Sequence, residues 1–385
     1  MNHEWILIDG PQSEAAESPR AWESMIGGVS VGWHWDTLAG GRSDGVQTLR
    51  IYSGSTEYIL LATRGLGLWQ ASRDGQRFGW HSPVAGPVHP QWVPLTEPNG
   101  LGWLDGFDEL LVRCGLTSNG APDFDAQGRL SHPLHGRIAN APAQRLEITV
   151  DDGGTITVRG EVLETRFLIQ SLRLRSTLRL RPDSETLELT DEIINDSARP
   201  TTAQMLYHVN LGPPLLGPGA ELLAPIRELA PRDQTAAAGL PQWSRCGGPQ
   251  PGFAEQVYFV QLNCDERGTS RVLFREADGR LGCGLSFDHH ALPYFVLWKN
   301  TAAEADGYVV GLEPSTNFPN PRTFESAEGR VIQLEPHGSV QLSLHLHLLV
   351  GGSAVDRFAQ QVNSLGAGRT APLLHERPRA GWSPS

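Results

Sequence analysis

Between residues 172 and 181, leucine and arginine take opposite parities. Leu172, Leu174, Leu178 and Leu180 occupy even positions, while Arg173, Arg175, Arg179 and Arg181 occupy odd ones. A helix of 3.6 residues per turn would spread those arginines around its surface. An extended chain sends every arginine to one face and every leucine to the other. The segment is therefore expected to be a β-strand with one dry face and one wet, basic face. The pattern returns near the C-terminus, where Val340, Leu342, Leu344, Leu346 and Leu348 alternate with Gln341, Ser343, His345 and His347. Both histidines are expected on the outer face of that strand. Residues 146–150 and 155–159 flank Asp151-Asp152-Gly153-Gly154, a hairpin signal because glycine accepts positive φ. Further strands are predicted at 186–194, 256–262, 271–274, 281–287 and 308–312. The best helical candidate is short, at 355–365. With 43 glycines and 28 prolines punctuating many short strands, the expected class is all-β, a sandwich or barrel.

The 385 residues suffice for one large β domain, and no linker-like shift in composition interrupts residues 45–350. A single domain, 1–385, is expected, with a core at about 45–350 and a Pro-, Arg- and Ser-rich tail at 366–385 that packs loosely. No apolar run approaches the roughly 18 residues of a membrane helix. Met1-Asn2-His3-Glu4-Trp5 lacks a basic region followed by an apolar stretch. A cytoplasmic protein with no membrane partner follows. The net charge of −12 repels phosphate backbones, so no nucleic acid is expected either. Cys114, Cys246, Cys264 and Cys283 show no zinc spacing and read as reduced, buried thiols. Gly28-Val29-Ser30-Val31-Gly32 matches a nucleophile elbow by letter, but no helix pattern follows it.

Residues 80–142 and 207–253 do not alternate and are dense in Gly, Pro, Trp, Asn and His. Loops of that length inside a compact domain are usually functional. Within and after them lie groups suited to proton transfer on a small molecule. Glu313 ends a predicted strand and is followed at once by Pro314, so it is a candidate base at a strand mouth. His208 and Asn210 share a strand face, about 7 Å apart along the strand, and His208 is the candidate acid. His135 and Arg137 flank Gly136 and offer donors to hydroxyl groups. Eleven tryptophans against six tyrosines favour stacking on the apolar faces of sugars, with Trp69, Trp80, Trp103 and Trp298 the foremost. Of 31 basic residues only Lys299 is lysine, beside Trp298 and Asn300, where it could polarise a carbonyl if it reaches the pocket.

The order His135-Gly136, then His208 with Asn210, then Leu312-Glu313-Pro314 resembles the galactose mutarotase (aldose 1-epimerase) superfamily. Glu97-Pro98-Asn99-Gly100, Cys114-Gly115-Leu116, Leu134-His135-Gly136-Arg137, Pro231-Arg232-Asp233 and Leu297-Trp298-Lys299-Asn300 resemble a branch of mutarotase-like proteins of unknown function. The likeness spans about residues 45–350. It implies a galactose mutarotase-like β-sandwich (supersandwich) with few short helices, and a small-molecule sugar as partner. It further implies Glu313 as base, His208 as acid and His135 as a sugar-binding group, with Asp233 where the family places a sugar-binding aspartate. Arg137, Asn210, Trp298, Lys299, Asn99 and Trp103 complete the candidate substrate-binding set.

Three functions stay open on these residues. The first is acid–base interconversion of sugar anomers without a cofactor, or a related epimerisation or isomerisation of the open chain. The second is a metal-dependent lyase or isomerase with a divalent metal on His135, His208 and Glu313. The third is a non-catalytic sugar-binding module, since this fold also serves as an accessory domain. The oligomeric state is open, a homodimer included.

Overall fold

The computed structural model describes residues 3–10 and 19–384. Met1 and Asn2, where a leader would begin, and Ser385 at the end of the tail lie outside the described residues. The chain forms an all-β sandwich of two large sheets. One has nine strands, in the order His3–Asp9, Ala143–Val150, Ile156–Arg166, Gln170–Leu180, Thr186–Asn195, Ser339–Val350, Leu281–Asp288, Thr269–Arg275 and Glu221–Leu223. The second sheet is longer. It runs from the Ala21–Ile26 hairpin through Gly67–Arg73, Leu111–Leu116, Thr201–Leu211, Tyr308–Ser315, Tyr294–Thr301, Gln256–Leu262 and Ile226–Pro231.

Where a strand has one wet face, its sequence alternates. Leu172, Leu174, Leu178 and Leu180 are buried, while Arg175 and Arg179 are exposed. The leucines pack with Leu344 and Leu346 of the same sheet against Trp33, Ile51, Tyr58 and Leu60 of the other. Leu111–Leu116 and Tyr308–Ser315 are buried at every position, and Thr201–Leu211 is buried from Ala203 onward. Their inner faces join the central core. Their outer faces lie under loops carrying Trp80, Trp103, Phe107 and Ala139. A strand covered on both sides has no reason to alternate, so the two stretches without periodicity include central strands as well as loops.

The nine-stranded sheet carries helix Gly352–Gly366, which buries Val355, Phe358, Ala359, Val362 and Leu365. Each large apolar side chain there contributes about 1.5–3 kcal/mol. The helix corrects the expectation for His347. That residue stands on the outer face, but its ring lies 4.7 Å from that of Phe358 and its nitrogens contact Thr186 and Ser286. Burial pushes its pKa down to about 3.

The tail also departs from expectation. Leu373–Leu374 pairs in parallel with Ile226–Pro231, His375 and Arg379 both meet Glu228, and Trp382 is buried against Phe318. One apolar anchor, Trp382, and two contacts to Glu228 override a composition that reads as coil. All four cysteines are free, and all but Cys264 are buried. Val29–Thr37 is a strand, so no elbow forms at Ser30. Among the described residues no helix is long and apolar enough to cross a membrane.

Between the sheets sits a buried ion pair. Arg113 Nε donates to Asp191 Oδ2 at 2.6 Å and Nη2 to Oδ1 at 3.1 Å. Its remaining donors reach Ser176 Oγ, Gly65 O and Leu66 O, and the Tyr207 hydroxyl donates to Asp191 at 2.9 Å. Removing one partner strands a charge in the core. Asp191→Ala is expected to lower unfolding free energy by about 3–5 kcal/mol, read as a lower urea midpoint. Glu188→Ala, which breaks the exposed pair with Arg181, is expected to change it by no more than about 1 kcal/mol.

Candidate functional site

His208 and Glu313 meet because their strands pair antiparallel. Val209 lies opposite Leu312 and Asn210 opposite Gly311, so the register brings His208 opposite Glu313. Val209 and Leu312 point into the core, and alternation turns their neighbours outward. His208 Nε2 lies 3.1 Å from Glu313 Oε1. Gly311 makes room for them: a Cβ there would stand 2.8 Å from Glu313 Oε1 and 2.9 Å from His208 Cε1.

Asn210 sets the tautomer. Its amide nitrogen donates to Glu109 O at 2.9 Å and to His208 O at 3.1 Å. Its carbonyl therefore faces His208 Nδ1, at 2.5 Å, and must accept a proton from it. The Nε2 lone pair is left toward Glu313. Burial holds the His208 pKa well below the usual imidazole value, helped by neighbouring His135. Burial raises the Glu313 pKa well above the usual carboxyl range, helped by Glu255 and opposed by Arg232. Both shifts favour a neutral pair in which the carboxyl donates its proton to Nε2.

The pair lies at a cavity of about 250 Å³ walled by Trp103, Phe107, Leu134, His135 and Trp298, with Arg232 and Glu255 also lining it. The rings of Phe107, Trp298 and His135 stand 5.2, 5.4 and 5.5 Å from that of His208. His135 Nδ1 is 2.8 Å from Asn119 O and donates to it, which leaves Nε2 as an acceptor. Burial pushes its pKa down to about 4. The His-Gly step is conformational in origin. His135 and Gly136 both have positive φ, 54° and 74°, and a Cβ on Gly136 would sit 2.1 Å from Ser118 O. Trp298 Nε1 donates to Glu255 Oε2 at 2.8 Å, and Arg232 bridges Glu255 and Asp233.

The structure thus gathers Trp103, His135, His208, Asn210, Trp298 and Glu313, and places four other candidates elsewhere. Lys299 follows Trp298 in a strand and points to the opposite face, where Nζ donates to Gln242 O and Arg245 O, each at 2.7 Å. Arg137 lines a different cavity. Asp233 caps helix Gln234–Ala238 through Ala236 N. Asn99 is an exposed turn residue with φ of 51°. Trp69 donates to Asp108 and Trp80 sits in the apolar cluster beneath the loops; neither lines the cavity. Sequence reasoning missed Arg232, Glu255 and Phe107. Arg232 stood beside the aspartate chosen instead, whereas Glu255 carried no local signal. No group of three His, Cys, Asp or Glu side chains able to hold a metal occurs among the described residues. The two nitrogens of His208 lie at hydrogen-bond distance from Asn210 and Glu313.

The architecture defines a β-rich protein with the galactose mutarotase-like fold. Residues 43–348 match the family model described as a domain of unknown function, DUF4432, and the chain belongs to that family. It is similar to a provisionally named aldose 1-epimerase from Klebsiella pneumoniae, with 34% identity, 99% of this chain and 100% of that one covered, and a TM-score of 0.93. A galactose mutarotase-like protein from Clostridium acetobutylicum (13% identity, 83% and 98% covered, TM-score 0.59) shares the fold. So does galactose 1-epimerase from Lactobacillus acidophilus (13%, 83% and 99%, 0.53). No curated protein sequence matches the chain.

Two outcomes follow from the geometry. In a histidine NMR titration from about pH 8 to pH 5, His135 and His208 are expected to stay neutral, because burial lowers both pKa values. Gly311→Ala is expected to separate His208 from Glu313, seen as a changed His208 ring-nitrogen shift with the far-UV circular dichroism unaltered.

Proposed function

We propose that the chain is an isomerase of the aldose 1-epimerase type, interconverting the anomers of a neutral free sugar by acid–base chemistry. The observation that carries this reading is the His208–Glu313 pair at an aromatic-walled cavity, Nε2 3.1 Å from Oε1, with burial favouring the proton on the carboxyl. Moving that proton from carboxyl to imidazole creates a base and an acid side by side. With a sugar bound, Glu313 takes the proton of the anomeric hydroxyl while His208 gives its Nε2 proton to the ring oxygen. The C1–O5 bond breaks and C1 becomes an aldehyde. The pair is then protonated carboxyl and neutral imidazole, its favoured resting form. Rotation about C1–C2 and reversal of both transfers close the ring on the other face.

Two further features support a neutral monosaccharide. Arg232 is offset by Asp233 and Glu255, so the wall presents no free cation to a sugar acid. The cavity is at the small end for ligand sites, suited to a single ring flanked by the indoles of Trp103 and Trp298.

The test is exchange NMR of anomers at equilibrium over a panel of aldoses in deuterated water. Accelerated anomer exchange with no deuterium at carbon is expected. Glu313→Gln is expected to lose about 10²–10⁴-fold in exchange rate while sugar affinity stays within a few-fold. Wild-type turnover in that variant would sink the reading, and binding without turnover in the native chain would make it a sugar-binding module. Deuterium at carbon would move it to epimerisation or isomerisation.

A further inference from the structure

A second cavity, of about 310 Å³, lies behind the wall that carries His135. Its lining has a different character. It includes Arg137, Arg166 and Arg322, with His132, Ser118 and Thr202 among them and no aromatic wall. Among the described residues none of the three guanidinium groups is ion-paired. Arg322 spends Nε on Thr117 O, at 2.8 Å, and Nη2 on Thr202 Oγ1, both neutral acceptors.

Among the described residues the only carboxylate lining the cavity is Glu164. Its oxygens already accept from Leu116 N at 2.8 Å, Thr117 N at 3.2 Å, Gln170 Nε2 at 2.8 Å and the Thr117 hydroxyl. Asp123, nearby, accepts from Thr323 N and Oγ1 and stands 3.9 Å from His132 Nδ1, beyond hydrogen-bond reach. A buried donor is also left over: Ser118 Oγ, on a residue only 2% exposed, has no partner, and neither does His132 Nδ1.

Three guanidinium groups without an ion-pair partner line one concavity, although a chain of net charge −12 has carboxylates enough to have paired them; burial lowers the Arg322 pKa, and Asp123 opposes that only in part. The fork of each guanidinium matches two oxygens of an oxyanion. The forks of Arg137 and Arg166, the uncommitted Nη1 of Arg322 and a hydroxyl suit a tetrahedral group with several acceptor oxygens better than a planar carboxylate. The volume is that of about ten waters, more than a bare phosphate fills.

We propose that this second cavity binds the phosphoryl group of a small phosphate ester, through Arg137, Arg166, Arg322 and Ser118. The site is separate from the sugar cavity, though the two share a wall. His135 faces one and Arg137 the other, and Ser118 precedes the Asn119 carbonyl that holds His135.

Titration calorimetry of the full chain with inorganic phosphate, at ionic strength held constant with sodium chloride, tests this. One saturable site is expected, with acetate at least tenfold weaker. Arg137→Gln and Arg166→Gln should each weaken phosphate at least tenfold, and Arg166 is exposed with no side-chain partner, so its variant tests the site without disturbing the core. Ser118→Ala should weaken it to a smaller extent. Glu313→Gln should leave phosphate affinity unchanged. The proposal is overturned by absence of saturable binding, by affinity unchanged in both arginine variants, by acetate binding as tightly as phosphate, or by loss of phosphate binding in Glu313→Gln, which would place the anion in the other cavity.

Discussion

The Arg113–Asp191 ion pair fixes more than the distance between the sheets. Arg113 lies opposite Tyr207 in the strand ladder, and both reach inward to the same carboxylate. Side chains on a strand alternate, so an inward Tyr207 obliges His208 to face outward. A slip of one residue would put His208 in the core and Tyr207 in the loops. The slip would also leave the fully buried Asp191 short of donors, which makes the wrong register costly. Because Thr201–Leu211 pairs next with Tyr308–Ser315, the same constraint passes across the ladder to Glu313. Placement of the outward pair thus depends on an inward one.

Outward-facing polar groups would ordinarily be wet. Here the loops carrying Trp103, Phe107 and Leu134 close over them, leaving Glu313 2% and His208 4% exposed. Burial penalises each charged form, and the two penalties act in opposite directions on a histidine and a carboxyl. Both shifts favour a neutral pair over an ion pair. Asn210 removes the remaining freedom by occupying Nδ1, so the shared proton can sit only on the line between Nε2 and Oε1. The small volume above Gly311 matters for the same reason: a methyl group there would force the two acceptors apart and leave each buried alone.

Strands with one wet face were legible in the sequence because solvent imposes a period of two, as in 170–180 and 339–350. Of the strands that carry the site, 308–312 was legible and runs on to Ser315, whereas Thr201–Leu211, dry on both faces from Ala203 onward, was marked only at His208 and Asn210. Parity, legible in the sequence, separates Lys299 from Trp298. Adjacent residues in a strand face opposite ways, so both could not serve one cavity. Asp233 reads equally well as the cap of the short helix it precedes, and takes that role. Arg232 and Glu255 could not be read, because their joint position depends on two loops that meet only in the folded chain. The anchoring of the tail by Trp382 was hidden for the same reason: one indole in a coil-like composition finds its pocket, beside Phe318, far away in sequence.

The separation of His135 from Arg137 follows from backbone geometry rather than side-chain chemistry. In an extended strand, residues two apart face the same way, and a sequence reading naturally puts both on one ligand. The left-handed conformations of His135 and Gly136 cancel that rule and turn the chain through a tight corner against Gly115 and Ser118. Only glycine fits the second position, because backbone oxygens occupy the space a Cβ would need. The corner is therefore rigid, and a rigid corner can hold an imidazole in one cavity and a guanidinium in the next. Two concavities of opposite character, one aromatic and nearly uncharged, the other cationic, are kept apart by three residues of backbone whose amides are committed to Gly120, Pro133 and Gly115, with the His135 ring held by the Asn119 carbonyl.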